Sequence, residues 1–179
     1  MIVLAGPSAS GKTEVAKLLE SKYGLSKVVT CTTRPKRVYE IDGVDYHFLT
    51  EDEFNAKLKR NEFLETTFYN NYYYGTLISD LKLDSVVVLD PDGINSIYKT
   101  MKDEVTIIVL STSEDVRRSR MIERMDEVDE VNKRINYDSM VFNPDNFSHI
   151  DYIIDTSTKS IDDVASVIYG LAKTPKQNA

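Results

Sequence analysis

The sequence predicts a three-layer α/β fold around a parallel core sheet, and three stretches carry that prediction. The first runs from Met1 to Thr13, an apolar strand that leads into the pattern G-x-x-x-x-G-K-T and on to residues 14–21 at helical spacing. The other two are residues 85–89 and 105–110, short continuous apolar runs of the kind that form strands buried on both faces. At 179 residues the chain suits one domain with room for an inserted subdomain.

Taken in order, the small residues Gly6, Pro7, Ser8, Ala9, Ser10 and Gly11 let the backbone curl so that its N–H groups converge on phosphate oxygens. In this pattern Lys12 reaches the β- and γ-phosphates of a nucleoside triphosphate, and the Thr13 hydroxyl takes a Mg²⁺ ion. A Gly/Ser-rich turn without chemistry is the alternative, and the strand before it and helix after it disfavour that reading. Residues 25–34 read as a second strand that runs out into a basic loop holding Arg34, Lys36 and Arg37. A solvated turn and a phosphate clamp are both open there, since a guanidinium fork matches a phosphate better than an ammonium does.

Asp42-Gly43 is a hairpin-turn dipeptide between short alternating strands, so a small β-rich insertion begins here. Thr50 and Glu53 form a capping box that opens a helix carrying Phe54 and Leu58 and ending at Asn61 and Glu62. Residues 62–68 alternate as a half-buried strand; the tyrosines 69, 72, 73 and 74 that follow are packing and edge-strand residues more readily than ligands. The run 85–89 ends in Asp90, Pro91, Asp92 and Gly93, which puts carboxylates at the sheet edge where ligands bind in open α/β folds. After 105–110, Ser113 with Glu114 and Asp115 caps an arginine-dense helix that is interrupted by an acidic patch and resumes before Asn136, reaching Arg134. Arg120 and Arg124 share one face of it, and the ordinary reading is a solvated surface with pairs such as Glu130–Arg134. Residues 151–155 form a last strand, Ser160 and Asp163 cap an amphipathic helix to about Leu171, and residues 174–179 fray.

A net charge of −7 and a pI near 4.9 argue against nonspecific binding to nucleic acid or to an anionic membrane, so polyphosphate binding must be local. Cys31 is the one cysteine, which excludes an intramolecular disulfide and suits a reducing compartment. No run is long enough for a membrane span and the first strand leaves no room for a signal peptide, so the expectation is a cytoplasmic protein. His47 and His149 have no metal-ligand spacing around them, and no zinc site is expected.

Thr32, Thr33, Arg34 and Arg37 are followed at fixed intervals by Glu40, Gly43, Asp45 and Tyr46, then by residues 62–65 and by Tyr73, Tyr74, Gly75 and Thr76. With the phosphate loop before them and Arg120, Arg124 and Arg134 after, these segments resemble the guanylate kinase family of nucleoside monophosphate kinases. The resemblance spans most of the chain. It implies a P-loop NTPase fold as a single domain over 1–179, with a core of residues 1–34 and 82–179. A mixed α/β monophosphate-binding insertion would span about 35–81, and a helical lid about 120–134.

For the acceptor site the resemblance implies that Arg34, Arg37, Tyr46 and Tyr74 hold the monophosphate and that Glu65 accepts from the guanine N1–H and exocyclic amine. Thr30, Gly75 and Thr76 would touch phosphate or the guanine O6, and Asp92 would lie near the base. On the donor side Lys12, Arg120, Arg124 and Arg134 would meet ATP, with Arg37, Arg124 and Arg134 acting with Lys12 on the charge in flight. The implied reaction is Mg²⁺-assisted phosphorylation of GMP or dGMP by ATP in a monomer or homodimer. Two alternatives stay open: a related phosphate-loop kinase with another acceptor, and a non-catalytic binding module. The chain departs from the family's pattern in having Ala9 where glycine is common, a lid about one residue shorter, and Asp155-Thr156 near the last strand.

Overall fold

The computed structural model describes residues 1–69 and 71–173, so the expected fraying of 174–179 lies outside the described residues. The chain forms β1 (Ile2–Ala5), α1 (Lys12–Tyr23), β2 (Ser26–Lys27), β3 (Cys31–Thr32), β4 (His47–Phe48) and α2 (Glu51–Lys59). There follow β5 (Phe63–Tyr69), β6 (Tyr72–Leu77), β7 (Ser85–Val88), α3 (Pro91–Met101), β8 (Thr106–Ser111), α4 (Glu114–Glu123), α5 (Val128–Val141), β9 (Tyr152–Asp155) and α6 (Ile161–Lys173).

Among the described residues β2, β7, β1, β8 and β9 lie side by side in one sheet, every pair parallel. Because side chains alternate along a strand, each central strand feeds two cores. Ile2 and Leu4 pack with Val15, Leu19, Val164 and Ile168 of α1 and α6. Val3 and Ala5 pack on the other face with Ile94 and Ile97 of α3. Helices on both faces give the three layers that the apolar runs predict.

A second sheet runs β4-β3-β6-β5 and is mixed, with β3 parallel to β4 and antiparallel to β6. It has its own small core. Phe54 of α2 is fully buried and stacks on Phe63 at 4.5 Å and on Tyr73 at 5.4 Å. The capping box forms as expected, with Thr50 Oγ1 accepting from the Glu53 N–H at 3.2 Å and Glu53 Oε2 from the Thr50 N–H at 2.8 Å.

Three expected elements differ. The strand expected over 25–34 divides between the sheets: the Val28 N–H still bonds Val86 in the first, while the Thr30 carbonyl already accepts from His47 in the second. Both halves are extended backbone, so no change of hydrophobic period marks the switch. Around Gly43 (φ +75°) the turn is present, but its flanks form only a single bridge between Asp42 and Tyr46. Ser113 occupies the N-cap of α4 without a side-chain cap bond, its own N–H being taken by Ser157 Oγ at 3.0 Å. No described helix is long and apolar enough to cross a membrane.

Removing Phe54 would empty the small core. We expect Phe54→Ala to cost about 3–5 kcal/mol in urea denaturation and Thr50→Ala about 1 kcal/mol; equal effects would show that the second sheet does not depend on that core.

Candidate functional site

The phosphate loop leaves β1 at Gly6, whose φ of +141° and whose distance of 2.3 Å from an added Cβ to the Leu110 carbonyl exclude any side chain. Gly11, at φ +94°, turns the chain into α1 and presents the helix's N-terminus. Ala9 holds a left-handed φ of +61° without being glycine, and its methyl packs beside Met121, Val131 and Ile135. Lys12 Nζ donates to the Gly6 and Pro7 carbonyls at 2.6 and 2.8 Å. Burial lowers its pKa to about 8. The loop is tied to its surroundings at two further points. Arg120 donates to the carbonyls of Ala9 and Thr156, each at 3.0 Å, and Thr156 Oγ1 donates to the Ser10 carbonyl at 3.0 Å. Thr156, a departure from the family's pattern in the sequence, is thus a buried support of the loop.

From this loop a cleft continues to the second sheet, lined by Ser8, Lys12, Thr30, Tyr46, Glu65, Thr67, Tyr74, Gly75, Thr76 and Asp90. The register Glu65↔Thr76 and Thr67↔Tyr74 places these four on one face of β5 and β6. Gly75 is required by close packing, because an added Cβ would meet the Phe63 ring at 2.8 Å. Thr76 Oγ1 donates to Glu65 Oε1 at 2.7 Å. Burial pushes the Glu65 carboxyl up to about 7, with Asp90 and Asp92 adding to the rise and the Thr76 bond opposing it. Helix α3 presses on the same group, since a Cβ on Gly93 would lie 3.0 Å from Glu65 Cγ. Asp90 caps α3 by accepting from the Gly93 N–H at 2.8 Å and lines the cleft, whereas Asp92 is exposed on the first helical turn.

At the other end of the acceptor wall, Arg34 lies 5.5 Å from the Tyr46 ring and 5.7 Å from that of Phe48. Its Nη2 bonds Glu40 Oε1 at 2.7 Å, the Arg37 N–H bonds Glu40 Oε2 at 2.8 Å, and Arg37 Nη1 lies 3.7 Å from Glu40 Oε1. Burial would raise the Glu40 carboxyl, but the Arg34 and Arg37 bonds outweigh it and hold the group below its ordinary range. Burial also pushes the Tyr46 hydroxyl up. Arg37 shares a second cleft with Thr13 and Arg124.

The arginine-dense stretch breaks at Arg124, where Met125 takes φ +62°. That turn folds Asp126 back between Arg124 and Arg134, at 2.8 and 3.2 Å. Glu130 pairs with Lys133 at 2.9 Å, so the Glu130–Arg134 pair expected from spacing does not form. Two site residues escaped the sequence reading. Arg117 and Asp138 form a buried pair at 3.0 Å, and Asp138 also accepts from the Ser8 N–H at 2.8 Å. Their signal was there: Arg117 is four before Met121 and Asp138 three after Ile135, charges set on the buried stripes of α4 and α5.

The elevated Glu65 carboxyl has a signed consequence. Folding takes up a proton between the ordinary value of 4.5 and about 7, so stability falls as pH rises through that window. Glu65→Gln should flatten this slope and be more stable than the parent at pH 7 by roughly 3 kcal/mol, read by urea denaturation across the window; parallel slopes in the two proteins would contradict it.

Comparison with known proteins agrees with this geometry. The family model described as guanylate kinase matches residues 1–169. A protein named guanylate kinase from Thermotoga maritima is 38% identical over 131 residues, covering 69% of this chain and 63% of its own length. Another from Symbiobacterium thermophilum is 32% identical, covering 81% and 78%, and one from Mesomycoplasma hyopneumoniae is 31% identical, covering 94% and 93%. In shape, the crystal structure of guanylate kinase from Anaplasma phagocytophilum aligns with a TM-score of 0.72 at 23% identity, over all of this chain and 87% of that one. On the matched span and these identities, the chain belongs to the guanylate kinase family.

Proposed function

We propose that the protein transfers the γ-phosphoryl group of ATP to GMP or dGMP, giving ADP and the corresponding diphosphate. The observation that carries this reading is the placement of a half-buried carboxylate, Glu65 bonded to the buried Thr76, in the same cleft as the phosphate loop and Lys12. A carboxylate offers two acceptors to the N1–H and exocyclic amine of guanine, a pair of donors that adenine does not present in that arrangement. Thr76 and Thr30 supply hydroxyls beside it, and Asp90 and Asp138 are the cleft's further acids, while Asp92 is exposed on the first turn of α3.

Arg34, Arg37, Tyr46 and Tyr74 hold the acceptor phosphate, and backbone N–H groups at the start of α1, those of Gly11, Lys12 and Thr13, hold the donor's. Lys12 spans the β- and γ-phosphates. Arg124 and Arg134 bring positive charge to the phosphoryl group in flight, with Arg120 bracing the loop below it, so catalysis rests on positioning and electrostatics. The insertion over about 35–81 carries the acceptor and the segment over about 120–134 closes on the donor, around a core of 1–34 and 82–179. Among the described residues no group of three or more His, Cys, Asp or Glu could hold a metal. Mg²⁺ would be held by the triphosphate oxygens and the Thr13 hydroxyl, where it would neutralise phosphate charge. The buried free thiol of Cys31 suits a reducing compartment and the net negative charge disfavours nucleic acid and anionic membrane as partners, so the reading is a cytoplasmic protein acting on small-molecule nucleotides, as a monomer or homodimer.

The test is ADP formation from Mg·ATP with GMP, dGMP, AMP, CMP, UMP or no acceptor, with Lys12→Ala as blank. Turnover is expected with GMP or dGMP alone, and Glu65→Ala should lower kcat/KM for GMP roughly 100-fold or more. Turnover on a different acceptor, or a Glu65→Ala protein with unchanged GMP preference, would overturn the reading. Arg124→Ala and Arg134→Ala should each reduce kcat by about 100-fold while leaving the KM for GMP nearly unchanged.

A further inference from the structure

We propose that Asp138 is a positioning residue for phosphoryl transfer, which ties the phosphate loop to the arginine-bearing helices α4 and α5 through Ser8 and Arg117. The inference rests on the phosphotransfer reading above. Its basis is how one carboxylate oxygen is used. Asp138 Oδ2 accepts both the Ser8 backbone N–H at 2.8 Å and Arg117 Nη1 at 3.0 Å, and both side chains are buried. The amide of a phosphate-loop residue is thus held by a side chain 130 positions away.

The helical spacing shows what that tie connects. Asp138 follows Arg134 by one turn of α5, so the two share a face, and Arg117 and Arg120 form a stripe on α4 that runs on to its C-cap residue, Arg124. The anchor residues and the arginines assigned to the transferring phosphoryl therefore ride on the same two rigid elements. Arg120 makes a parallel tie, donating to the carbonyl of Ala9, the next residue of the loop. Two consecutive loop residues are held by two helices. A movement that carries Arg124 and Arg134 also moves the groups that set the loop, and the loop sets Lys12, which folds over it onto Gly6 and Pro7.

Stability alone does not require an ion pair here, because apolar residues of similar volume commonly serve a buried site as well or better. Arg117 Nε is itself buried without a partner, which marks the pair as an imperfect stabiliser. What an apolar pair cannot do is accept the Ser8 N–H.

That difference supplies the experiment. The double variant Asp138→Ala/Arg117→Met removes both charges together, and Asp138→Asn keeps the size and one oxygen for Ser8 while weakening the ion pair. Thermal midpoint, kcat, KM for ATP and the GMP dissociation constant without ATP are measured for each beside the parent. In the folded double variant kcat should fall about 10- to 100-fold while GMP affinity stays within about two-fold, because the lost bonds run to Ser8 and Arg117 and not to Glu65 or Thr76, so a misplacement of about 1 Å acts on the reacting geometry and not on the groups assigned to the base. Asp138→Asn should show the same split with a smaller loss in kcat, and it decides the matter if the double variant does not fold. A folded variant with kcat within about two-fold of the parent, or a loss that tracks GMP affinity or thermal midpoint, would overturn the proposal. GMP turnover by the parent protein tests the phosphotransfer reading separately, so failure of one is distinguishable from failure of the other.

Discussion

On the proposed function, a chain with a net charge of −7 that handles two phosphate-bearing molecules must concentrate its cations in one cleft and keep them from repelling one another. The structure meets this constraint with a carboxylate for each group of cations. Glu40 sits between Arg34 and Arg37, Asp126 between Arg124 and Arg134, and Asp138 between Arg117 and the phosphate loop near Lys12. Each carboxylate offsets like-charge repulsion and fixes the direction of a guanidinium fork, so the charges are oriented by the protein and not by the ligand.

The base end of the cleft follows the opposite logic. Glu65 lies half-buried on the second sheet, bonded to the Thr76 hydroxyl and facing the field of Asp90 and Asp92. Burial and like charge both favour its protonated form, so ionising it requires donors that compensate. A guanine edge supplies two. On the proposed function the site would discriminate by leaving a half-buried acceptor unmatched when the wrong base enters, which costs more than a missed surface contact. The small core of Phe54, Phe63 and Tyr73 beneath the sheet carries this arrangement, and Gly75 lets the strands approach closely enough to make it.

Much of this was legible where local chemistry and tertiary structure agree. The apolar runs of β1, β7 and β8 fall in the buried parallel sheet, and the loop from Gly6 to Gly11 has no room for side chains at its first glycine. Tertiary pairing was less legible. Residues 25–34 pass between sheets without a change of period, and Arg134 finds Asp126 because a left-handed turn at Met125 brings it there, a contact that i, i+4 spacing does not foresee. Asp90 and Asp92 look equivalent in sequence, yet the helix begins between them, so one faces the cleft and the other solvent. Arg117 and Asp138 stood on apolar stripes, and a charge in such a position signals a buried partner even when the partner cannot be named.

The central claim is that a half-buried Glu65, shared between its protonated and ionised forms near neutral pH and mostly protonated at pH 6, ionises to receive guanine. It is tested most directly by calorimetric titration of GMP at pH 6 in buffers of different ionisation enthalpy, for the parent and for Glu65→Gln. Protons released by the phosphate are common to both proteins, so their difference reports the carboxyl. With the carboxyl at about 7, the parent should release most of one proton more than the variant. Equal proton release from two proteins that both bind GMP would contradict the account.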